Sequence, residues 1–281
     1  MLARRWRHLW RSLPFLRVVD VEVLGSENEL TRFVNRLLLL RDPGSALDGC
    51  EFDLRGFEDV DPVYVDLWIQ HALLLRARVL SLSLPWTPLY KPFDSQYLST
   101  LHLNGVQLSD NALDCSSCPM LEDLEITLSD IYAREICSPS SKRLSIVNCK
   151  FCLDRFDSVY STRISTPSLI WLKLEYCSGA PPLLEGMASL ESACIRFGCG
   201  VDEDFHMEGC YADCCSECVF LYDCGLCGVH IDGRVLLEGL SNASTLEFRA
   251  SFGMVPLHFR PLRFRNLCHL SITIYIALMY P

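Results

Sequence analysis

The stretch Leu121-Glu-Asp-Leu124-Glu-Ile126 places a leucine, two residues, a second leucine, one residue and a further aliphatic side chain in a row. The same phrase returns at residues 98–103, 169–174 and 267–272. Its alternation is typical of a short β-strand with one apolar side. Because one such strand cannot bury that side alone, the repetition predicts stacked copies that share a core, which is a solenoid.

The spacing of the phrases supports this prediction. Weaker copies are centred on Leu80, Leu144, Ala193 and Leu246. Most steps between the central residues fall within the length of a leucine-rich repeat, about 20–29 residues. The step from Ala193 to Leu246 is 53 residues and is interpreted as two repeats, with a degraded phrase at residues 219–221. A further strand is predicted at residues 50–54. The predicted fold class is therefore α/β, a curved leucine-rich-repeat solenoid of about nine or ten units with a parallel sheet.

Two helices are predicted near the start of the chain. Ser26 and Glu29 form a capping box ahead of an apolar face, and Asp61 with Pro62 is typical of a helix beginning. The order helix, strand, helix, strand requires a parallel sheet with helices behind it. From residue 85 to 190 the connections contain Pro, Ser and Asp, which predicts irregular or short helical returns.

Composition excludes several classes of protein. The net charge is −10, from 35 acids against 25 bases, which disfavours general binding to nucleic acid. No apolar run reaches the 18 residues of a membrane span. The chain has 16 cysteines and begins with an Arg-rich turn rather than a secretory signal peptide. We therefore expect reduced thiols and a location in the cytoplasm or nucleus.

The first residues carry a helical pattern of their own. Leu2, Trp6, Leu9 and Leu13 follow helical spacing, and Pro14 ends the pattern. The segment has five arginines before residue 18 and no acid. A solvated amphipathic helix and a mitochondrial transit peptide both have this composition.

Three stretches resemble plant F-box/leucine-rich-repeat proteins. They are Cys118-Pro-Met-Leu121-Glu-Asp-Leu124-Glu-Ile126, Leu236-Leu-Glu-Gly-Leu240-Ser-Asn, and Leu2-Ala-Arg-Arg-Trp6-Arg-His-Leu9-Trp10. The first two are similar to repeat units of that family, and the third is similar to the closing residues of the F-box. The resemblance implies an F-box remnant at residues 1–20 and a solenoid at residues 21–281, with an irregular Cys-rich insert at about 198–230.

The resemblance also implies a function. The family receives substrates for an SCF-type cullin–RING ubiquitin ligase: the F-box docks a Skp-type adaptor and the repeats hold the target. Only Leu2, Trp6, Leu9 and Trp10 can be carried over as adaptor-docking residues, so docking is expected to be weak. The alternative is a non-ligase interaction scaffold, or a truncated product that cannot dock the adaptor.

The residues that alternate with the buried leucines are predicted to form the concave face of the sheet. The candidate partner-binding residues are His102, Glu125, Arg143, Trp171, Lys173, Arg196, Arg249 and His269. Trp and Arg are the types that most often anchor protein interfaces, so this face is expected to bind a protein substrate. A solvated sheet face without a dedicated ligand has the same pattern.

The cysteines suggest one weak metal site. Cys215, Cys218, Cys224 and Cys227 form two pairs with zinc-like local spacing, but the pairs are closer together than in known zinc signatures. Reduced thiols in an irregular insert are the alternative. Cys149 and Cys177 are predicted to lie buried beneath the strands. No phosphate-binding loop, nucleophile elbow or zinc-protease motif occurs, so neither an enzyme nor a cofactor is expected.

Overall fold

The computed structural model describes residues 9–19, 21–42, 44–57, 60–109, 111–152, 162–179, 182–196, 239–251 and 266–275. Within them the chain forms two α-helices, short 3-10 helices at Leu9–Ser12 and Val21–Leu24, and sixteen strands. The helices are α1 (Glu27–Leu39) and α2 (Pro62–Leu74). The strands are β1 (Phe15–Val18), β2 (Gly49–Asp53), β3 (Val79–Leu89), β4 (Thr100–Leu108), β5 (Asp123–Thr127), β6 (Asp130–Ile131), β7 (Glu135–Cys137), β8 (Arg143–Val147), β9 (Lys150–Phe151), β10 (Arg163–Ser165), β11 (Trp171–Glu175), β12 (Ser178–Gly179), β13 (Leu183–Glu185), β14 (Ser192–Arg196), β15 (Thr245–Ser251) and β16 (His269–Tyr275).

Ten of these strands form one parallel ladder, which confirms the predicted solenoid. Their order is β1-β2-β3-β4-β5-β8-β11-β14-β15-β16. The central residues of the repeated phrases lie opposite one another, as in the pairing of Leu101 with Leu124 and of Leu144 with Leu172. Parallel pairing in constant register is what stacked coils of similar length produce.

The leucines of the ladder share a single core. Leu101, Leu124 and Leu172 belong to the same cluster of buried side chains and are at most 1% exposed. Leu270 was predicted to join them, and that expectation is wrong, because its side chain is 46% exposed. Strand β16 is the last strand of the described ladder, and a solenoid side chain is buried only when the coils on both of its sides cover it.

Both predicted helix beginnings are confirmed. The Ser26 hydroxyl accepts a hydrogen bond from the Glu29 backbone N–H at 3.3 Å. The Asp61 carboxylate accepts one from the Val63 N–H at 2.9 Å. These caps satisfy amides that have no partner inside the helix, so α1 and α2 begin where the sequence predicts.

The returns between residues 85 and 190 are more regular than predicted. β7, β10 and β13 form a second parallel sheet of three strands on successive returns, and each contributes a buried aliphatic residue: Ile136, Ile164 and Leu184. Among the described residues of these returns no helix occurs, and their proline content disfavours one. The extended segments still pair because each coil places its return segment beside the corresponding segment of the next coil.

The 53-residue step between Ala193 and Leu246 joins two adjacent ladder strands and is therefore one step of the ladder, not the two repeats that were predicted. β14 pairs directly with β15, with Ala193 opposite Leu246. No strand can lie between two strands that are hydrogen-bonded to each other, so the phrase predicted at residues 219–221 is not an intervening rung. Residues 219–221 themselves lie outside the described residues, as does the whole of the predicted insert at about 198–230.

The tenth strand of the ladder is instead β1. Phe15–Val18 pair in parallel with Gly49–Phe52, within the range 1–20 that the sequence assigns to an F-box remnant. The residues before it, Leu9–Ser12, form a 3-10 helix. No strand was predicted at residues 15–18, because this segment lacks the leucine phrase.

A row of residues with positive φ crosses the central coils, inside β3 and β4 and directly after β5, β8 and β11. It consists of Trp86, Gly105, Leu128, Asn148 and Tyr176, with φ between +48° and +66°, and we call it the left-handed row. The N–H groups of its last three members donate to carbonyls of the next ladder strand at 2.9–3.1 Å. The row therefore bends each coil in the same way and keeps the coils hydrogen-bonded beyond the strands.

Among the described helices, none is both long and apolar enough to cross a membrane.

Candidate functional site: the open face of the ladder

The side chains that alternate with the core leucines form a continuous surface, which we call the open face. In the ladder they stand in three columns, because the register is constant from β2 to β15. All eight candidate residues predicted from the sequence lie on it. Arg143, Trp171 and His269 are in the first column; His102, Glu125 and Lys173 are in the second; Arg196 and Arg249 are in the third.

Ion pairs cross the open face along its length. Arg17 binds Glu51 at 2.6 Å at one end. In the middle, Arg143 pairs with Asp123, and the His102 Nε2 atom lies 3.8 Å from a Glu125 oxygen. These side chains are largely exposed, so each pair contributes little to stability. Their effect is to offer a partner a surface of alternating charge.

The densest part of the open face surrounds Glu175. Its carboxylate lies 3.0 Å from the Lys173 ammonium and 3.6 Å from the Arg196 guanidinium. Glu175 is only 7% exposed, although the sequence places it on the outward side of β11. The two cations and the neighbouring Tyr176 cover it, because the Arg196 guanidinium stacks 5.1 Å from the Tyr176 ring centre and hydrogen-bonds its hydroxyl. A buried carboxylate is stable here because cations surround it.

Strand β15 extends this cluster. Arg249 pairs with Glu247, and the Cys194 thiol lies 3.5 Å from a Glu175 oxygen and 3.9 Å from a Glu247 oxygen. We call Lys173, Glu175, Cys194, Arg196, Glu247 and Arg249 the charged cluster. With three cations and two carboxylates it keeps one net positive charge, on the same face of the sheet as Trp171.

Cys194 is not a reactive thiol. Burial and the two carboxylates raise its pKa to about 11, so the thiol is protonated at neutral pH and is a poor nucleophile. Within the described residues no group of three or more His, Cys, Asp or Glu side chains could hold a metal ion. The cluster therefore presents charged groups and a protonated thiol on the open face.

Sequence reasoning missed Cys194 of the charged cluster and Tyr176, which contacts the cluster through Arg196. Cys194 was overlooked because its repeat phrase is degraded, with Ala193 in place of leucine. Tyr176 follows the strand and reaches the cluster only because its backbone is left-handed, with φ of +53°. The first could have been found by aligning the weak phrase with its neighbours. The second has no signal in the sequence, since Tyr is uncommon in this conformation.

The adaptor-docking candidates are only partly described. Leu2 and Trp6 lie outside the described residues. Leu9 is exposed, and Trp10 is half-buried with the Arg11 guanidinium 5.8 Å from its ring. Leu9 and Trp10 lie in the 3-10 helix before β1, outside the ladder strands that form the open face, and the docking role of all four residues stays a prediction.

The predicted burial of two cysteines is confirmed. Cys149 and Cys177 are at most 2% exposed, and each thiol lies 3.3–3.5 Å from two carbonyl oxygens, one on the neighbouring ladder strand and one two residues earlier in its own coil. Burial raises both pKa values, that of Cys149 to about 12. The zinc candidates Cys215, Cys218, Cys224 and Cys227 lie outside the described residues.

The relatives found by comparison with known proteins that are described here are all plant F-box proteins. The chain is 24% identical to an FBD-associated F-box protein of Arabidopsis thaliana over 239 residues, which is 72% of this chain and 54% of the relative. It is 23% identical to an F-box/FBD/LRR-repeat protein of the same plant, covering 98% of this chain and 67% of the relative. It is 29% identical to a meiotic F-box protein of Oryza sativa subsp. japonica, covering 62% of this chain and 40% of the relative.

The chain spans about half of the length of most of these curated relatives. It matches no protein-family model, and no solved structure matches it.

Proposed function

Because the chain is a homologue of plant F-box/leucine-rich-repeat proteins, we propose that its open face recognises a protein substrate for an SCF-type cullin–RING ubiquitin ligase. The charged cluster beside Trp171 carries this proposal. Three cations, two carboxylates and an aromatic ring lie on three adjacent strands. Such a patch suits a folded or extended protein partner, since aromatic and Arg side chains are the usual anchors of interfaces.

The cluster is also organised before any partner binds. Each of its cations lies within ion-pair distance of a carboxylate, so the side chains lose little freedom when a partner docks. Preorganisation of this kind raises affinity without adding contact area.

Substrate recognition is tested by changing the open face without disturbing the core. Wild-type protein and the Trp171→Ala/Arg196→Glu double variant are cross-linked in plant extract, and the captured proteins are quantified by mass spectrometry. Leu74→Ala is the matched control, because Leu74 is 78% exposed and lies on α2. The proposal expects at least one protein that wild type and control capture and the double variant does not, with direct binding then measured on purified partner.

Ligase coupling is tested separately, with purified Skp-type adaptor. Retention of the adaptor that is lost in Leu9→Ala and Trp10→Ala supports the ligase role. Absence of binding supports the interaction scaffold instead. Identical captured proteins for all three forms in the first experiment would contradict recognition by the open face under either role.

A further inference from the structure

The charges of the open face are unevenly divided along the ladder. The division falls between β5 and β8, which are the fifth and sixth of its ten strands. Cations and carboxylates still face each other locally as ion pairs, but their balance differs on the two sides of this division. We call the two sides the first half (β1 to β5) and the second half (β8 to β16).

The first half is acidic. The carboxylates on its outward positions are Glu51, Asp53, Asp123 and Glu125. Two arginines lie beside them: Arg17 binds Glu51, and Arg55, in the turn after β2, binds Asp53, both at 2.6 Å. With histidine counted as neutral, four carboxylates and two arginines give this half a net charge of −2.

The second half is basic. The cations on its outward positions are Arg143, Lys173, Arg196 and Arg249. In the described part of these strands they are accompanied by two outward carboxylates, Glu175 and Glu247, so the net charge of this half is +2. The second half is therefore a local positive excess in a chain whose net charge is −10.

Both sets of charges are accessible to a partner. The side chains of the four cations are 21–56% exposed, and those of the four carboxylates of the first half are 26–47% exposed. Exposed ion pairs contribute little to stability, so folding does not require the two signs to be divided between the halves. The division is explained if a partner of matching charge covers the face.

The two halves are far enough apart to act separately. Glu51 on β2 and Arg249 on β15 are seven strand steps apart in the ladder, which is about 34 Å at the usual strand spacing. Charges in 0.1 M salt are screened over about 10 Å. A partner that covers the face therefore meets a negative field at one end and a positive field at the other, and about ten extended residues span this distance.

A partner with charges of one sign does not match this face. A polyanion is attracted to the second half and repelled by the first, and a polycation experiences the reverse. A protein segment with a basic block and an acidic block is attracted by both halves, and in one orientation only. Trp171 lies on β11, one strand beyond β8, and supplies an aromatic anchor between the two blocks.

We propose that the open face binds a bipolar protein segment, with its basic block over the first half and its acidic block over the second half. This inference rests on the proposed function, because it names the class of substrate that the open face recognises.

The test uses two rhodamine-labelled decapeptides of identical composition: four lysines, two glycines and four glutamates. In the block peptide the lysines and glutamates are at opposite ends, and in the control peptide they alternate. Fluorescence anisotropy measures their binding to the full chain in about 50 mM salt, where screening is weak. We expect saturable binding of the block peptide and at least about tenfold weaker binding of the alternating peptide. Equal binding of the two peptides, or no binding of the block peptide, would overturn the proposal.

Variants assign the blocks to the two halves. Glu51→Gln/Glu125→Gln removes the net charge of the first half, and Arg143→Gln/Arg249→Gln removes that of the second. Each double variant should weaken binding of the block peptide at least about fivefold, because one end of the peptide loses its attraction. Unchanged binding in both variants would overturn the proposal.

The matched control is Arg32→Gln/Arg36→Gln. It removes two exposed cations from α1, outside the open face, and changes the total charge of the chain as much as Arg143→Gln/Arg249→Gln does. It should bind the block peptide like wild type. The same loss of binding in this control would show that total charge, rather than its division on the open face, determines binding, and would overturn the proposal.

The result is separable from that of the capture experiment in plant extract. If the two peptides bind equally while Trp171→Ala/Arg196→Glu still loses a captured protein, the bipolar ligand is overturned and substrate recognition by the open face stands. If the peptides bind equally and no captured protein depends on the open face, both proposals are overturned.

Discussion

At the scale of single residues, position in the repeat phrase decides burial. Leu172 is fully buried, whereas Ile170, two residues earlier, is 38% exposed. Both are aliphatic, so hydrophobicity alone cannot separate them. The start of strand β11 at Trp171 separates them: side chains two residues apart share a side only within a strand, and Ile170 lies before it.

We expect Leu172→Ala to lower the free energy of unfolding by roughly 2–5 kcal/mol, because it leaves a cavity in a core shared by neighbouring coils. Ile170→Ala is the matched control and should cost less than about 0.5 kcal/mol, as surface changes do. Urea unfolding followed by circular dichroism measures both. Equal costs would show that the two side chains have similar surroundings.

Asp130 provides a prediction about pH. Burial raises the pKa of its carboxyl above the ordinary value, so the folded state holds this proton more tightly than the unfolded state. The ionised group therefore disfavours folding, and the penalty grows as pH rises through the interval between the unfolded and folded pKa values and is complete above it.

Asp130→Asn should consequently stabilise the protein at pH 7 by a few tenths of a kcal/mol, and the gain should vanish near pH 3. Thermal melts at the two pH values measure this. Asp114→Asn, which changes an exposed carboxylate on the return after β4, is the control. A gain that is the same at both pH values would contradict the assigned cause.

At the scale of elements, the strands follow from their sequence and the returns do not. The leucine phrase places β4, β5, β8 and β11 and the capping residues place α1 and α2, because local spacing determines both. The short strands β7, β10 and β13 depend on the coils stacked beside them, so no local pattern marks them. The left-handed row is hidden for the same reason: Leu128 and Tyr176 occupy a conformation that their own preferences disfavour.

The side chains of the charged cluster connect three adjacent strands, β11, β14 and β15. Glu175→Gln should lower the free energy of unfolding by about 1–2 kcal/mol, because it removes charge-assisted contacts to Lys173 and Arg196. Glu191→Gln changes an exposed acid next to β14 and should cost less than about 0.5 kcal/mol.

A double-mutant cycle with Lys173→Met separates the ion pair from other effects of the Glu175 change. A coupling energy near zero would mean that Glu175 is held by packing alone. The open-face positions of the cluster were predictable from alternation, whereas the burial of Glu175 depended on Tyr176 and could not be predicted.

At the scale of the whole molecule, β14 and β15 are neighbours in the sheet although they are far apart in the sequence. The ladder continues directly from Arg196 to Arg249, which lie opposite each other in the sheet. The spacing of 53 residues between the repeat phrases suggested a missing rung, because stacked repeats have similar lengths. Spacing alone cannot distinguish a degraded repeat from an inserted segment, since both leave the later phrases in register.

Replacement of residues 200–235 by a short glycine/serine linker should leave the ladder folded. Closing a shorter loop costs less entropy, so stability should change by about 1 kcal/mol or less. Circular dichroism and a thermal melt measure the outcome, and replacement of residues 143–147, the whole of β8, by the same linker is the disruptive control. Loss of the folded signal in the first variant would show that the segment supplies contacts on which the ladder depends.

The direct pairing of β14 with β15 has a consequence for a nicked chain. A single peptide-bond cut between residues 200 and 235 would leave two polypeptides that still share five paired positions and one apolar interior. They would migrate together under native conditions and come apart only in denaturant, so proteolytic damage in this part of the chain would be invisible to any assay that measures size without unfolding the protein.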